Sequence, residues 1–160
     1  MTIDAFSSHP LGTLRVGAWA ELGHAAASVR TEVFVREQGI AAELEWDDQD
    51  AVSVHVVLFS PQHNPVATAR LLPSHDGVSL IGRVAVLASC RGQYAGVAVM
   101  KALMQEAHRR GDRALQLHSQ QSAQGFYERL GFVVQGEPFD EVGIPHVTMG
   151  ITNLQHIASR

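Results

Sequence analysis

Between residues 18 and 38 the apolar side chains Leu22, Ala26, Val29 and Val33 recur every three or four positions. That spacing predicts one long amphipathic helix, which Gly39 can stop. Ahead of it, residues 13–16 form a short strand candidate. Beyond it, an acidic loop over 43–50 leads to residues 53–59, rich in β-branched side chains and read as a strand. Pro61 to Pro65 is turn chemistry, and 66–72 completes a hairpin. A turn at His75-Asp76-Gly77 feeds a strand that runs through Val86. The helix that follows turns Val99, Met100, Leu103, Met104 and Ala107 inward and Lys101, Glu106, Arg109 and Arg110 outward, and Gly111 ends it. A strand over 114–118, a helix over 122–130 and strands over 132–135 and 146–151 complete the order. The pattern predicts one mixed α/β (α+β) unit without repeats or linkers, so residues 1–160 are expected to be a single domain.

Composition narrows the class. A chain of 160 residues is long enough for a sizeable core. Its formal net charge of −4 gives no electrostatic reason to expect nucleic acid. The single cysteine, Cys90, excludes an internal disulfide and fits a reducing compartment. Residues 1–10 lack the basic and apolar regions of a secretory leader, and no apolar run approaches the roughly 20 residues that span a bilayer. The expectation is a soluble cytoplasmic protein with no membrane partner.

Candidate chemistry concentrates in residues 83–96, Arg-Val-Ala-Val-Leu-Ala-Ser-Cys-Arg-Gly-Gln-Tyr-Ala-Gly, where a strand runs through a compact loop into a helix. Unpaired N–H groups at a helix start and the helix dipole favour an anion, most often phosphate. Gly92 and Gly96 let backbone approach a ligand, and Arg91 adds a possible charge-assisted hydrogen bond. An ordinary strand-to-helix turn is the alternative. The loop has neither the Lys and Ser/Thr of a Walker motif nor the early GxGxxG of a dinucleotide site. No HExxH or clustered His/Cys set suggests a metal.

This loop resembles the pyrophosphate loop of the GNAT superfamily of acetyl-CoA-dependent N-acetyltransferases, roughly [QR]-x-x-G-x-[GA], with Tyr94 standing where the middle glycine is usual. Three further segments are similar to the ElaA-like branch: Arg30-Thr-Glu-Val-Phe-Val-Arg-Glu-Gln38, the stretch Leu117 to Phe132 with its Ala-x-x-Phe-Tyr-x-x-x-Gly-Phe pattern, and the stretch Gly136 to Met149. The resemblance implies a mixed, mostly antiparallel sheet of six to seven strands flanked by helices. Its fourth and fifth strands, 81–86 and 114–118 here, splay apart around acetyl-CoA. It also implies that the backbone of Val84, Ala85 and Val86 holds the pantetheine arm, and that Val86 N–H polarises the thioester. Arg91, Gly92, Gln93, Tyr94, Ala95 and Gly96 would hold the pyrophosphate beside Phe126, and Tyr127 would protonate the leaving thiolate. Tyr94 is expected to point away without straining the loop.

Amine acetylation also needs a base, because an ammonium has no lone pair for attack. His118, at the end of its strand, is the first candidate, with a structural histidine as the alternative. His146 and Glu45 follow. The acidic cluster Glu43, Glu45, Asp47, Asp48 and Asp50 is expected to be a solvated loop. Arg30, Arg70 and Arg83 either bind a substrate carboxylate or pair with these acids, so Arg30, Glu45, Arg83 and His146 are the candidate substrate contacts. Cys90 reads as packing. The leading function is transfer of acetyl to a small-molecule or peptide amine. A non-catalytic acyl-CoA sensor and an acyl-homoserine-lactone synthase are the alternatives. Homodimers are common in such folds, so a homodimer is among the expected assemblies.

Overall fold

A computed structural model describes residues 5–156 of the chain. Among them one sheet holds β1 (Ala5–His9), β2 (Gly12–Ala18), β3 (Val54–Phe59), β4 (Pro65–Leu71), β5 (Val78–Val86), β6 (Ala114–Gln120), β7 (Val133–Val134), β8 (Phe139–Glu141) and β9 (Ile144–Ile151). The order is β1-β2-β3-β4-β5-β6-β9-β7, with β8 also on β9. Every pairing is antiparallel except β5 with β6. The sheet has two more strands than the pattern suggests. β1 is too polar to read as a strand, and β8 has only three residues; both form by pairing along a neighbour.

Helices cover both faces. On one lies α1 (Trp19–Arg30), continued by a π-helical stretch, Thr31–Glu37. The 3.6-residue spacing works as expected: Leu22, Ala26, Val29 and Val33 are all buried. They pack on Val57 of β3 and Ala85 of β5. On the other face α3 (Ala95–Arg109) sets Val99, Met100, Leu103 and Ala107 against Val56, Leu58, Ala67 and Leu71. Neighbours Val56 and Val57 thus serve opposite layers, and β3 is apolar apart from His55 because both its faces are covered. Glu106 departs from the expected outward face. It is buried, with both carboxylate oxygens held by Arg109 one turn on, at 2.9 and 2.6 Å. Two short helices, α2 (Ala42–Glu45) and α4 (Gln124–Arg129), complete the chain. No described helix is long and apolar enough to cross a membrane.

The feature that positions the site is a fork in the sheet. β5 and β6 pair from Val78↔Ala114 to Ile81↔Leu117 and no further. Beyond that point β5 stays with β4 as far as Val86, and β6 stays with β9 as far as Gln120. A bulge begins the divergence. Thr68 faces Ala85 but Arg70 faces Gly82, so β5 carries one more residue than β4, and Arg83 sits at φ +51°. An extra residue bends its strand and sharpens its twist, which turns the end of β5 away from β6.

Candidate active site

Past the bulge, the direction of β5's backbone groups follows from one bond: Leu87 N–H donates to the Val66 carbonyl of β4 at 2.9 Å. Alternation along an antiparallel strand then turns Ala85 toward β4 and turns Val84 and Val86 toward the gap. Val84 and Val86 are half-buried, whereas the Ala85 side chain is buried beneath α1 with Val29, Val33 and Phe34. Ala85 therefore aligns the strand and offers the gap no polar group.

β5 runs through a short 3-10 turn, Ala88–Cys90, into the loop that starts α3. Gly92 sits at φ +77°, and Tyr94, the N-cap of α3, at φ +66°. Tyr94 is 76 % exposed, so its ring does point away. Its backbone nevertheless occupies the left-handed region, which corrects the expectation of an unstrained tyrosine; glycine is usual there for its φ as well as its size. The α3 N-cap has no side-chain hydrogen bond, which leaves the first-turn N–H groups for a ligand. Gly96 fits by close approach: a Cβ there would lie 3.1 Å from Phe126 Cζ and 3.6 Å from Val86 Cγ2. Gly96, Phe126 and Val86 thus meet where the loop joins the gap.

Arg91 is not free to serve as an isolated cation. Its Nη1 and Nη2 donate to both oxygens of Glu37, at 2.6 and 2.7 Å, and its Nε donates to the Val86 carbonyl at 3.1 Å. The pair holds the Glu37 carboxyl below the usual range, chiefly through the hydrogen bonds from Arg91. Nearby, a cavity of about 450 Å³ is lined by Ser28, Val29, Glu32, Glu37, Leu87 and Ser89 on the α1 side of the loop. Tyr127 and His118 do not line it.

Tyr127 is 8 % exposed, with Phe126 edge-on at 5.0 Å and Phe132 at 6.2 Å between ring centroids. Burial pushes its phenol far above the ordinary tyrosine range, so it holds its proton at any working pH. His118 lies one residue beyond the last β5–β6 pair. It shares a strand face with Gln120, which donates to Gln38 at the end of the π-helical stretch at 3.0 Å. His118 therefore stands at the fork on the α1 side. Its Nδ1 lies 3.0 Å from Glu141 Oε1, and its ring meets Phe139 edge-on at 5.2 Å. His146 is buried on β9, stacked on Phe139, with Nε2 3.7 Å from Glu141 Oε2. The structure brings both candidate histidines to one carboxylate, Glu141, which lies inside the Gly136 to Met149 segment but was not among the candidate site residues. The turn at Val142-Gly143, with both residues at positive φ, makes 139–146 a hairpin and sets Phe139 opposite His146.

The acidic segment is only in part a solvated loop: Glu43 and Asp48 are exposed, but Glu45, Asp47 and Asp50 are engaged by arginines. Glu45 and Asp50 are each 3 % exposed, and Arg30 1 %. Arg30 Nε donates to Glu45, and its Nη1 and Nη2 donate to Asp50 at 2.8 and 3.1 Å. Arg70 clamps Asp47 through two hydrogen bonds, 2.7 and 2.8 Å, and reaches Asp50 at 2.9 Å. Arg83, from the bulge, donates to the Glu45 carbonyl at 3.1 Å and to Asp47 at 3.3 Å. The Arg30 guanidinium also lies 5.4 Å from the Trp19 ring and 5.9 Å from Trp46. Of the two expectations for these arginines, pairing with the acids is the one the geometry displays. Arg30 and Glu45 are buried and engaged, while Arg83 stays a quarter exposed. Among the described residues no group of His, Cys, Asp and Glu is arranged to hold a metal ion.

Comparison with known proteins places this geometry. A family model described as an acetyltransferase (GNAT) domain matches residues 29–153. Protein ElaA of Escherichia coli (strain K12) is 33 % identical over 144 residues, covering 82 % of this chain and 94 % of ElaA. The crystal structure of E. coli ElaA superposes with a TM-score of 0.76 at 30 % identity, covering 86 % of this chain and 97 % of that one. An acyl-CoA N-acyltransferase from Pseudomonas aeruginosa matches with a TM-score of 0.76 at 32 % identity and the same coverage, 86 % and 97 %.

Proposed function

Because the chain belongs to the GNAT acetyltransferase family, in its ElaA-like branch, we propose that it moves the acetyl group of acetyl-CoA to a primary amine by direct attack. The family and its acyl-CoA N-acyltransferase neighbours make the cosubstrate a CoA derivative. The observation that carries the finer reading is the fork, with β5 backbone groups facing an open gap that ends on the α3 N-terminus.

In this reading Val84 and Val86 hold the pantetheine arm as a further strand would. The N–H groups of Arg91, Gly92, Gln93, Ala95 and Gly96 hold the pyrophosphate, and Phe126 walls the channel. Arg91 contributes by bracing the loop through Glu37. When bound, acetyl-CoA supplies the electrophilic carbonyl and a thiolate leaving group. His118 takes the ammonium proton, and the freed nitrogen lone pair makes the new N–C bond. Val86 N–H donates to the transient oxyanion. As the C–S bond breaks, Tyr127 gives its proton to sulfur, the second proton shed by the new amide nitrogen returns to the phenolate, and His118 passes its proton to solvent. Every electron pair is accounted for without an acetylated side chain.

Isothermal titration with acetyl-CoA, with CoA as control, tests the first step. Micromolar binding is expected, weakened at least tenfold in Gly96→Val, whose side chain collides with Phe126 and Val86. Absence of binding in the native protein would end the reading. Binding without transfer to any amine in a broad screen would favour an acyl-CoA sensor, the role that the strained Tyr94 loop best accommodates.

A further inference from the structure

Three strands bring Phe139, Glu141, His118 and His146 to one face of the sheet. Glu141 and Phe139 alternate in phase on β8, His146 lies directly opposite Phe139 on β9, and His146 pairs with Gln120, two residues beyond His118 on β6. The proton positions follow from the partners. His146 Nδ1 lies 2.7 Å from the Ile144 carbonyl. A carbonyl only accepts, so Nδ1 carries the proton, and in the neutral ring Nε2 presents a lone pair. That lone pair faces Glu141 Oε2 across 3.7 Å, too long for a direct hydrogen bond. His118 Nδ1, 3.0 Å from Glu141 Oε1, donates to it, which leaves His118 Nε2 as an acceptor. The cluster thus holds two acceptors facing each other, with no side-chain donor between them.

We propose that Glu141 Oε2 and His146 Nε2 form the seat for the ammonium group of the acceptor. A primary ammonium has the charge that Glu141 attracts and enough N–H donors to bridge both atoms. The inference rests on the acetyltransferase reading for its purpose, but not for its geometry. It also selects an acceptor class. Arg30, Arg70 and Arg83 are each engaged with Glu45, Asp47 or Asp50, so that wall offers a carboxylate no unpaired cation. The Phe139 ring, stacked on His146 at 6.1 Å, offers an apolar surface to a hydrocarbon stem. The acceptor is therefore a primary amine on an apolar stem, not an amino-acid zwitterion.

The test is NMR of the imidazole nitrogens of His118 and His146 in the full chain, titrated with n-butylammonium chloride. His146 Nε2 is expected to shift saturably. Apparent affinity should fall at least tenfold for tetramethylammonium, which has the charge but no N–H, for norvaline, which adds a carboxylate, and for n-butylammonium with Glu141→Gln. An equal response to tetramethylammonium, an unchanged response in Glu141→Gln, or a His146 ring doubly protonated in the free protein at pH 7.5 would overturn the seat. Glu141→Gln is isosteric at a half-exposed position, so its fold is expected to persist. In steady-state acetyl transfer the same variant should raise KM for n-butylamine at least tenfold and leave the acetyl-CoA Kd within twofold. If the native protein binds n-butylammonium as described but not acetyl-CoA, the transferase reading falls and the seat stands.

Discussion

Tyr127 shows how one side chain can be both core and reagent. Its ring sits between Phe126 and Phe132, while burial keeps its hydroxyl protonated. Tyr127→Phe keeps the packing and removes the proton. A fall in kcat of about a hundredfold or more is expected, with the acetyl-CoA Kd unchanged, by steady-state kinetics beside titration calorimetry. A native rate in the variant would remove Tyr127 from the acid role. Tyr94 makes a different residue-scale point. A non-glycine residue in the left-handed region costs about 1–2 kcal/mol, and glycine would return roughly 0.5–1 kcal/mol of that as extra freedom in the unfolded chain. Tyr94→Gly should therefore stabilise the protein by up to about 1 kcal/mol, seen in thermal unfolding as a rise in Tm of about 2–4 °C. A lower Tm would mean that the surroundings have adapted to the tyrosine.

At the scale of elements, the buried charges tie three separate segments together. Arg30 ends α1, Glu45 ends α2, and Arg83 lies in the β5 bulge at a backbone angle that only a restrained arginine would hold. The network fixes the α2 segment over the bulge, and the bulge opens the fork. Removing one partner of a buried pair leaves the others uncompensated and costs about 3–5 kcal/mol. Arg30→Met is expected to lose that much in urea unfolding. A loss below about 1 kcal/mol would show that the network contributes little to stability. The long helix was legible from its 3.6-residue period. The fate of the acidic segment was not, because its partners are 15 to 38 residues away and local sequence cannot tell a solvated carboxylate from a paired one.

For the whole molecule, these charges set the response to acid. Hydrogen bonds from Arg70 hold the Asp47 carboxyl at about 2, below the ordinary 3.8. A depressed carboxylate stabilises the fold above its unfolded value, and that stability is lost as pH falls from about 4 toward 2. Asp50 is also lowered, since hydrogen bonds and charge from Arg30 and Arg70 outweigh the upward push of burial. His55 acts at milder pH. Burial lowers its affinity for a proton below the ordinary 6.5, so the unfolded chain takes up the proton first and stability begins to fall as pH drops below that value. Denaturant midpoints measured from pH 7 to 2 should therefore decline in two stages, and Asp47→Asn should flatten the lower one alone. An unchanged lower stage would place the acid response elsewhere.

The sequence by itself determined what depends on neighbours in the chain. Period and turn residues marked α1, α3 and the central strands, and the glycines at 92 and 96 marked the loop that starts α3. The Phe-Tyr pattern at 126–127 carried the family resemblance, but the burial of the phenol came only with the fold. Tertiary structure decided whatever depends on segments meeting. It set the register that parts β5 from β6 after Ile81, and it buried Glu45 and Asp50 against distant arginines. It also turned Arg91 toward Glu37 and gathered His118, His146 and Glu141 on one face. The reason is physical: backbone preference and hydrophobic period act over a few residues, whereas the state of a charge depends on what folding places within a few ångströms of it.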